Sequence, residues 1–250
     1  MGIRTLAALL PLLIALTVTE LPAQVNDSSA PNHVFAQFAD GRFSDGTSYR
    51  STIMVSSDSL SAIDCTATLY GLTVAGFGDG AQRTFTVASG GWNIYKTPGS
   101  QSFRSGYMTL NCSGSVTAQV LYSFFSASGT VLSEATVFSS PPASQAQLLT
   151  DQRSGSQLGI AIANNGSRTK EFVVIAIDAT DTEVGRRSVQ LVAGSQIARF
   201  LNELINVPAD FVGQVMIYTN STDTLDVYAI GLKYTGAAFT TIPVTLRTPR

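Results

Sequence analysis

Charge is scarce in this sequence. Asp, Glu, Lys and Arg make up 13% of its 250 residues and sum to a net charge of −2, against a charged share of roughly 25% in ordinary globular proteins. No basic stripe is present; Arg186-Arg187 is flanked by Asp181 and Glu183. Nucleic-acid binding needs clustered cations to displace counterions, so no nucleic-acid partner is expected. Histidine is scarcer still, with His33 alone. A Ser-His-acid triad needs a histidine held between two partners. His33 follows Pro31 near the start of the mature chain, where a solvated surface residue is expected. A Gly-x-Ser-x-Gly elbow is missing. The acids Asp40, Asp45, Asp58, Asp79, Asp151, Asp181 and Asp223 stand in turn-like contexts, and Asp64 and Glu171 open strands. The paired carboxylates of a glycosidase are not expected from them. Asp178, Asp181 and Glu183 lack the glycine and final Glu of a calcium loop and read as a solvated turn. Gly76-Phe77-Gly78-Asp79-Gly80 lacks the Lys-Ser/Thr of a phosphate loop and reads as a flexible hairpin tip. The expectation is a chain that is not an enzyme, with no catalytic residue, no metal site and no cofactor.

Long apolar runs are also missing beyond the N-terminus; none reaches the 18 or so residues of a membrane helix. Residues 1–24 read as an export signal. Arg4 is the positive end, Leu6 to Val18 is apolar apart from Pro11 and Thr17, and Leu21-Pro22-Ala23-Gln24 offers a cleavage region. Cleavage after Ala23 or Gln24 is expected, with no cysteine nearby for a lipid anchor and no hydrophobic tail before Arg250. A secreted protein, extracellular or periplasmic, follows, with no stable membrane insertion after cleavage.

Two cysteines remain, Cys65 and Cys112. In an oxidising compartment an even count is read as a disulfide. Ile63, Cys65, Ala67 and Leu69 share one strand face, as do Met108, Leu110 and Cys112, so both thiols can enter one core. Closing that loop is worth about 4 kcal/mol in loop-closure entropy. The alternative is two separately buried free thiols.

What is plentiful is alternation of apolar residues with Ser, Thr, Gly and Asn. The pattern suits strands with one buried face and an uncharged outer face. It also recurs. Ser51–Ser59 matches Leu158–Gly166 at an offset of 107, Asp64–Tyr70 matches Glu171–Ile177, and Gly106–Ser113 matches Gly213–Asn220. Gln119–Phe125 then matches Asp226–Leu232. Blocks in one order at one offset point to duplication. Phe172 and Thr219 replace the cysteines in the second copy. The reading is a first β-sandwich domain over 25–140, a Pro/Ser-rich linker over 141–146 and a second β-sandwich domain over 147–250. Strands are expected near 34–38, 51–56, 63–71, 83–88, 92–96, 106–112, 117–125 and 130–138. In the second half they are expected near 147–150, 157–163, 171–178, 187–192, 213–219, 225–233 and 238–245. Turn glycines and ten-residue spacing make this an all-β fold of two tandem antiparallel sandwiches with an immunoglobulin-like strand count. Ser195 to Asn206 breaks the pattern. Ile197, Phe200, Leu201 and Leu204 share a helical face, Ser195 can cap it and Pro208 follows, so a short helix plugging the second sandwich is expected.

Asn164-Asn165-Gly166, Phe200-Leu201-Asn202-Glu203-Leu204, Gly231-Leu232 and Phe239-Thr240-Thr241-Ile242-Pro243-Val244 resemble a tandem immunoglobulin-like repeat of secreted bacterial proteins. The resemblance covers most of residues 147–246, with the first half a diverged copy carrying Gly90-Gly91-Trp92-Asn93-Ile94-Tyr95 instead of the helix motif. It implies sandwich fold and export, and it brings no catalytic residues, because those modules have no assigned biochemical function.

Trp92, Tyr95 and Tyr107 are the candidate ligand-binding residues, since aromatics on a sandwich face stack on sugar rings. The competing reading, which is favoured, places Trp92 in the core. Four Asn-x-Ser/Thr sequons, at Asn26, Asn111, Asn165 and Asn220, read as turns. The expected function is a structural or interaction module with no identifiable ligand, meeting a cell-envelope protein or polysaccharide. A carbohydrate-binding module using exposed aromatics is the alternative, and an unrecognised hydrolase comes last.

Overall fold

The computed structural model describes residues 29–220 and 227–247. The expected export signal at 1–24 and the sequon at Asn26 lie outside the described residues. The first half contributes β1 (Ala30–Arg42), β2 (Ser48–Ser56), β3 (Ile63–Tyr70), β4 (Gln82–Val87), β5 (Trp92–Lys96), β6 (Arg104–Phe125) and β7 (Val131–Phe138). The second contributes β8 (Gln145–Asp151), β9 (Gln157–Asn164), β10 (Lys170–Asp178), β11 (Glu183–Leu191) and β12 (Ser195–Phe200). After these come α1 (Leu201–Leu204), β13 (Val212–Thr219), β14 (Tyr228–Thr235), β15 (Ala238–Ile242) and β16 (Thr245–Arg247). All pairings between these strands are antiparallel, as the alternating pattern requires, and the fold is an all-β sandwich arrangement.

The first sandwich hinges on β6. Where the sequence suggested two strands, 106–112 and 117–125, the chain runs on without reversing. The N-terminal part of β6 pairs with β3 and β1; its C-terminal part pairs with β2 and β7. Ser113-Gly114-Ser115 carries it from one sheet to the other, and a Cβ at Gly114 would meet Ile63 Cδ1 at 3.0 Å. The layers are thus β4-β3-β6-β1 and β5-β2-β6-β7. In the second half the sheets are β11-β10-β13-β8-β16 and β12-β9-β14-β15. Strand for strand, the two halves have the same order, apart from the added β16. The register recurs too. Cys65 stands opposite Cys112, and Phe172 opposite Thr219, both displaced by 107 positions. At the last matched block the offset changes: Ile53 faces Val120 while Ile160 faces Gly231. The longer connection between β13 and β14 moves the matched strand by four residues, an even number that keeps the same side chains inward.

Cys65 and Cys112 are joined as a disulfide across this pair, Cα to Cα 4.0 Å, and Cys65 is buried. The 195–206 expectation needs correcting. Ser195–Phe200 is strand β12, with Ile197 opposite Ile162, and only Leu201–Leu204 forms a helical turn. Ser195 does not cap that turn; the Glu203 carboxylate accepts the Phe200 N–H at 2.8 Å. Cross-strand pairing to β9 wins over helical spacing in the first six residues. The plugging role does fall to Leu201, which is fully buried in the second core. Phe77 corrects another expectation. The Gly76–Gly80 stretch is no free tip, because Phe77 is fully buried in the first core and backbone bonds Phe77 N to Val74 O and Gly80 N to Phe77 O close it.

Two apolar clusters fill the sandwiches, and the first reaches beyond its own half. It takes in Ala161, Ala163, Ile230, Leu232 and Phe239, whereas Leu158, Ile160, Ile162 and Ala229 belong to the second. Strands β9 and β14 are therefore covered on both faces. Alternate residues of each point into the second core, and the others meet the first sandwich. Gly159, Ala161 and Ala163 keep that face of β9 thin enough for β1 to approach. Strand β1 is likewise buried without a break from His33 to Gly41. Ser140, at the junction, accepts the Ala229 N–H on its hydroxyl at 3.1 Å and donates its own N–H to Val34 O at 2.7 Å. Ala143 O accepts Val227 N–H at 2.8 Å. The Pro/Ser-rich stretch is thus bonded into both halves.

Candidate functional site

The contact between the halves builds an aromatic cleft. Its first wall comes from Phe43, after β1, Tyr49 of β2, and Phe103 and Ser105 where β6 begins. The second comes from Gly159 and Ala161 of β9, Ala198 to Phe200 of β12, Glu203 of α1, and Leu232 and Tyr234 of β14. The enclosed volume is ≈ 350 Å³, within the roughly 300–1,000 Å³ of small-ligand sites, which favour domain interfaces.

The rings are fixed against one another. Phe43 and Phe103 stack at 4.2 Å, Tyr49 stacks on Phe124 at 4.7 Å, and Phe200 meets Tyr234 edge-on at 5.4 Å. Tyr49 also touches Phe239 of the second half at 5.8 Å. The Tyr49 and Tyr234 hydroxyls hydrogen-bond across the interface, and burial raises both phenols above their ordinary pKa. Both therefore stay neutral throughout the physiological range. Around the rim stand Arg199, whose guanidinium donates to Ala198 O at 2.9 Å, and Glu203. Gln37 below is hydrogen-bonded to Gln196 of the other half. A cation, an anion and an amide thus border an apolar floor.

The sequence-derived candidates do not assemble here or anywhere else. Trp92, expected in the core, is 72% exposed. The outcome follows from the register of β5 with β2. Val55 and Ile53 face inward on β2, and their partners on β5 are Asn93 and Tyr95; Trp92 falls on the opposite face. Tyr95 points inward, half-buried, edge-on to Phe77 at 5.4 Å and under the Arg83 guanidinium at 4.1 Å. Tyr107 is 1% exposed, stacked on Tyr70 at 4.4 Å. Its hydroxyl donates to Asn165 Oδ1 at 3.3 Å across the halves. The three aromatics therefore form no common platform.

His33 also departs from expectation, being 3% exposed rather than solvated. Its Nε2 lies 2.9 Å from both Ala30 O and Val116 O. Carbonyls only accept, so Nε2 carries the proton, and Nδ1 accepts the Ser139 hydroxyl at 3.1 Å. Burial lowers the His33 pKa below its ordinary value. The backbone carbonyls occupy the place a catalytic acid would need, so the arrangement reads as a strut tying β1 to β6 and to the end of β7. Asp178 closes the turn expected of it, its Oδ1 accepting the N–H groups of Thr180 at 2.8 Å and Thr182 at 3.0 Å. Asn164 does the same in the Asn-Asn-Gly turn, donating to Arg168 O and Leu191 O and accepting Gly166 N–H.

None of the cleft residues was expected from sequence to bind a ligand; Phe200, Glu203 and Leu232 were singled out only in the repeat motifs. The cleft residues come from separate segments of both halves, and no local pattern ties one segment to another. The legible signal lay elsewhere, in Leu158–Ala163 and Ala229–Leu232, which are apolar at consecutive positions. Such runs mark strands covered on both faces. No protein-family model matches the chain, and no curated protein matches it. Among solved structures, a crystal structure described as "a putative secreted protein from Parabacteroides distasonis" aligns over 86% of each chain at 10% identity with a TM-score of 0.24. A likeness that low carries no argument about fold or function.

Proposed function

We propose that this is a secreted, non-enzymatic recognition and structural protein of the cell exterior, with the cleft between its sandwiches as the recognition site. One observation carries the reading: two sandwiches of the same strand order pack against each other through shared apolar contacts, and the aromatic cleft exists only because of that contact. An apolar floor with Arg199 and Glu203 on the rim suits an extended segment of a cell-envelope protein. Such a segment would place an apolar side chain inside and its polar backbone outside. The Cys65–Cys112 bridge supports export, since such bonds persist in oxidising compartments. The shared strand order of the halves supports the duplication.

A second reading rests on Trp92, whose exposure is what a sugar-stacking residue needs. Isothermal titration of the mature protein against envelope-derived peptides and a polysaccharide panel separates the two. Peptide binding that Phe43→Ala weakens at least tenfold, with Trp92→Ala unaffected, is the expected result. Polysaccharide binding lost in Trp92→Ala and kept in Phe43→Ala moves recognition to the sheet face. Turnover of any panel member replaces the non-enzymatic reading.

A further inference from the structure

Strand β5 is the edge of the β5-β2-β6-β7 sheet, and among the described residues it pairs only with β2. The bonds Thr97 N to Ser51 O at 2.9 Å and Ser57 N to Gly91 O at 3.0 Å frame that ladder. In an antiparallel pair, hydrogen-bonded and non-bonded residue pairs alternate. With 51/97 and 57/91 bonded, 53/95 and 55/93 are bonded as well. The N–H and C=O groups of Trp92, Ile94 and Lys96 consequently point away from β2, toward the open edge. The side chains of these same three residues occupy the outer sheet face, Trp92 72% and Ile94 53% exposed. Beside them the face continues through Met54 and Gln119 to Phe138, which is 42% exposed. Open edges carrying exposed apolar side chains are what sheets ordinarily avoid, because they invite a further strand.

We infer that the occupant of this edge is β5 of a second copy of the chain. The segment Trp92-Asn93-Ile94-Tyr95-Lys96 is complementary to itself when two copies run antiparallel about a two-fold axis through Ile94. Ile94 then stands opposite its counterpart, and Trp92 opposite the second copy's Lys96, twice. All three positions present edge-directed backbone groups, so the register is a bonded one. Lys96 is exposed and already lies over the Phe125 ring at 5.5 Å; pairing brings its ammonium against the indole of the second copy as well, a charge-to-ring complementarity. An isologous contact of this kind closes after two copies and yields one continuous eight-stranded sheet. Recognition clefts would then occur in pairs on one rigid body.

The test is sedimentation of the mature protein over a concentration series, with circular dichroism to check folding. The expected result is a concentration-dependent mass reaching twice that of one chain. Trp92→Lys sets lysine against lysine and is expected to give a folded monomer, and Ile94→Lys the same. Adding Lys96→Glu to Trp92→Lys restores an opposite-charge pair at both ends and is expected to restore the dimer. A wild-type protein that stays monomeric at every concentration overturns the inference. So does a dimer that survives both single lysine substitutions, and failure of the double variant to recover overturns the register.

Discussion

Leu232 gives the sharpest test that the halves share a core. It is 7% exposed, sits on β14, and belongs to the apolar cluster of the first sandwich although the chain places it in the second. Truncation to alanine removes three carbon groups, about 2.4 kcal/mol at roughly 0.8 kcal/mol each. A residual cavity adds to this, since β1, β9 and β14 cannot easily collapse toward one another, and the total comes to about 3 kcal/mol. For a chain of this size that is a fall in melting temperature of about 6–12 °C. Leu149→Ala is the matched control, the same chemistry on the outer face of β8 at 64% exposure, with an expected cost below about 0.5 kcal/mol. Calorimetry reads both. Hydrogen exchange adds the decisive observation: Leu232→Ala is expected to speed exchange in β1 of the first sandwich, 190 or so positions away in sequence, as well as in β14. Equal small effects from the two leucines, or faster exchange confined to the second half, would refute the shared core.

Two further outcomes follow from individual groups. Cys65→Ala/Cys112→Ala is expected to lower stability by about 2–5 kcal/mol by urea unfolding, the range for a native bridge in a secreted domain. The loss should fall on the first sandwich, because the second has Phe172 and Thr219 at the matching pair. His33 predicts the pH response. Its folded pKa lies below that of the unfolded chain because burial opposes the charged imidazolium. Its stabilising share is therefore complete above about pH 6.5 and is lost as pH falls from there toward the folded value. Chemical denaturation at a series of pH values should show wild-type stability dropping in that window more steeply than His33→Gln, and parallel curves would refute the assignment.

The alternation of Ile53 and Val55, or of Cys65, Ala67 and Leu69, is a local property of the chain. It placed strands, inward faces and two cysteines able to enter one core before any coordinates, because period-2 burial needs no knowledge of what lies across the core. With two cysteines in the chain only one pairing was possible, and the register of β3 with β6 decided that it forms. Tertiary structure decided what local pattern leaves open. Ile197 and Phe200 fit a helical face as well as a strand, and the neighbouring edge of β9 made them a strand. Trp92 and Tyr95 differ by an odd number of positions, so one had to face out. Which one depended on register with β2, a long-range quantity. His33 became buried through β6 and Ser139, far along the sequence. The cleft itself is a property of two surfaces meeting. The sequence carried the cause, apolar residues on both faces of β9 and β14, but the identity of the covering surface is set by shape and packing between segments that share no local signal.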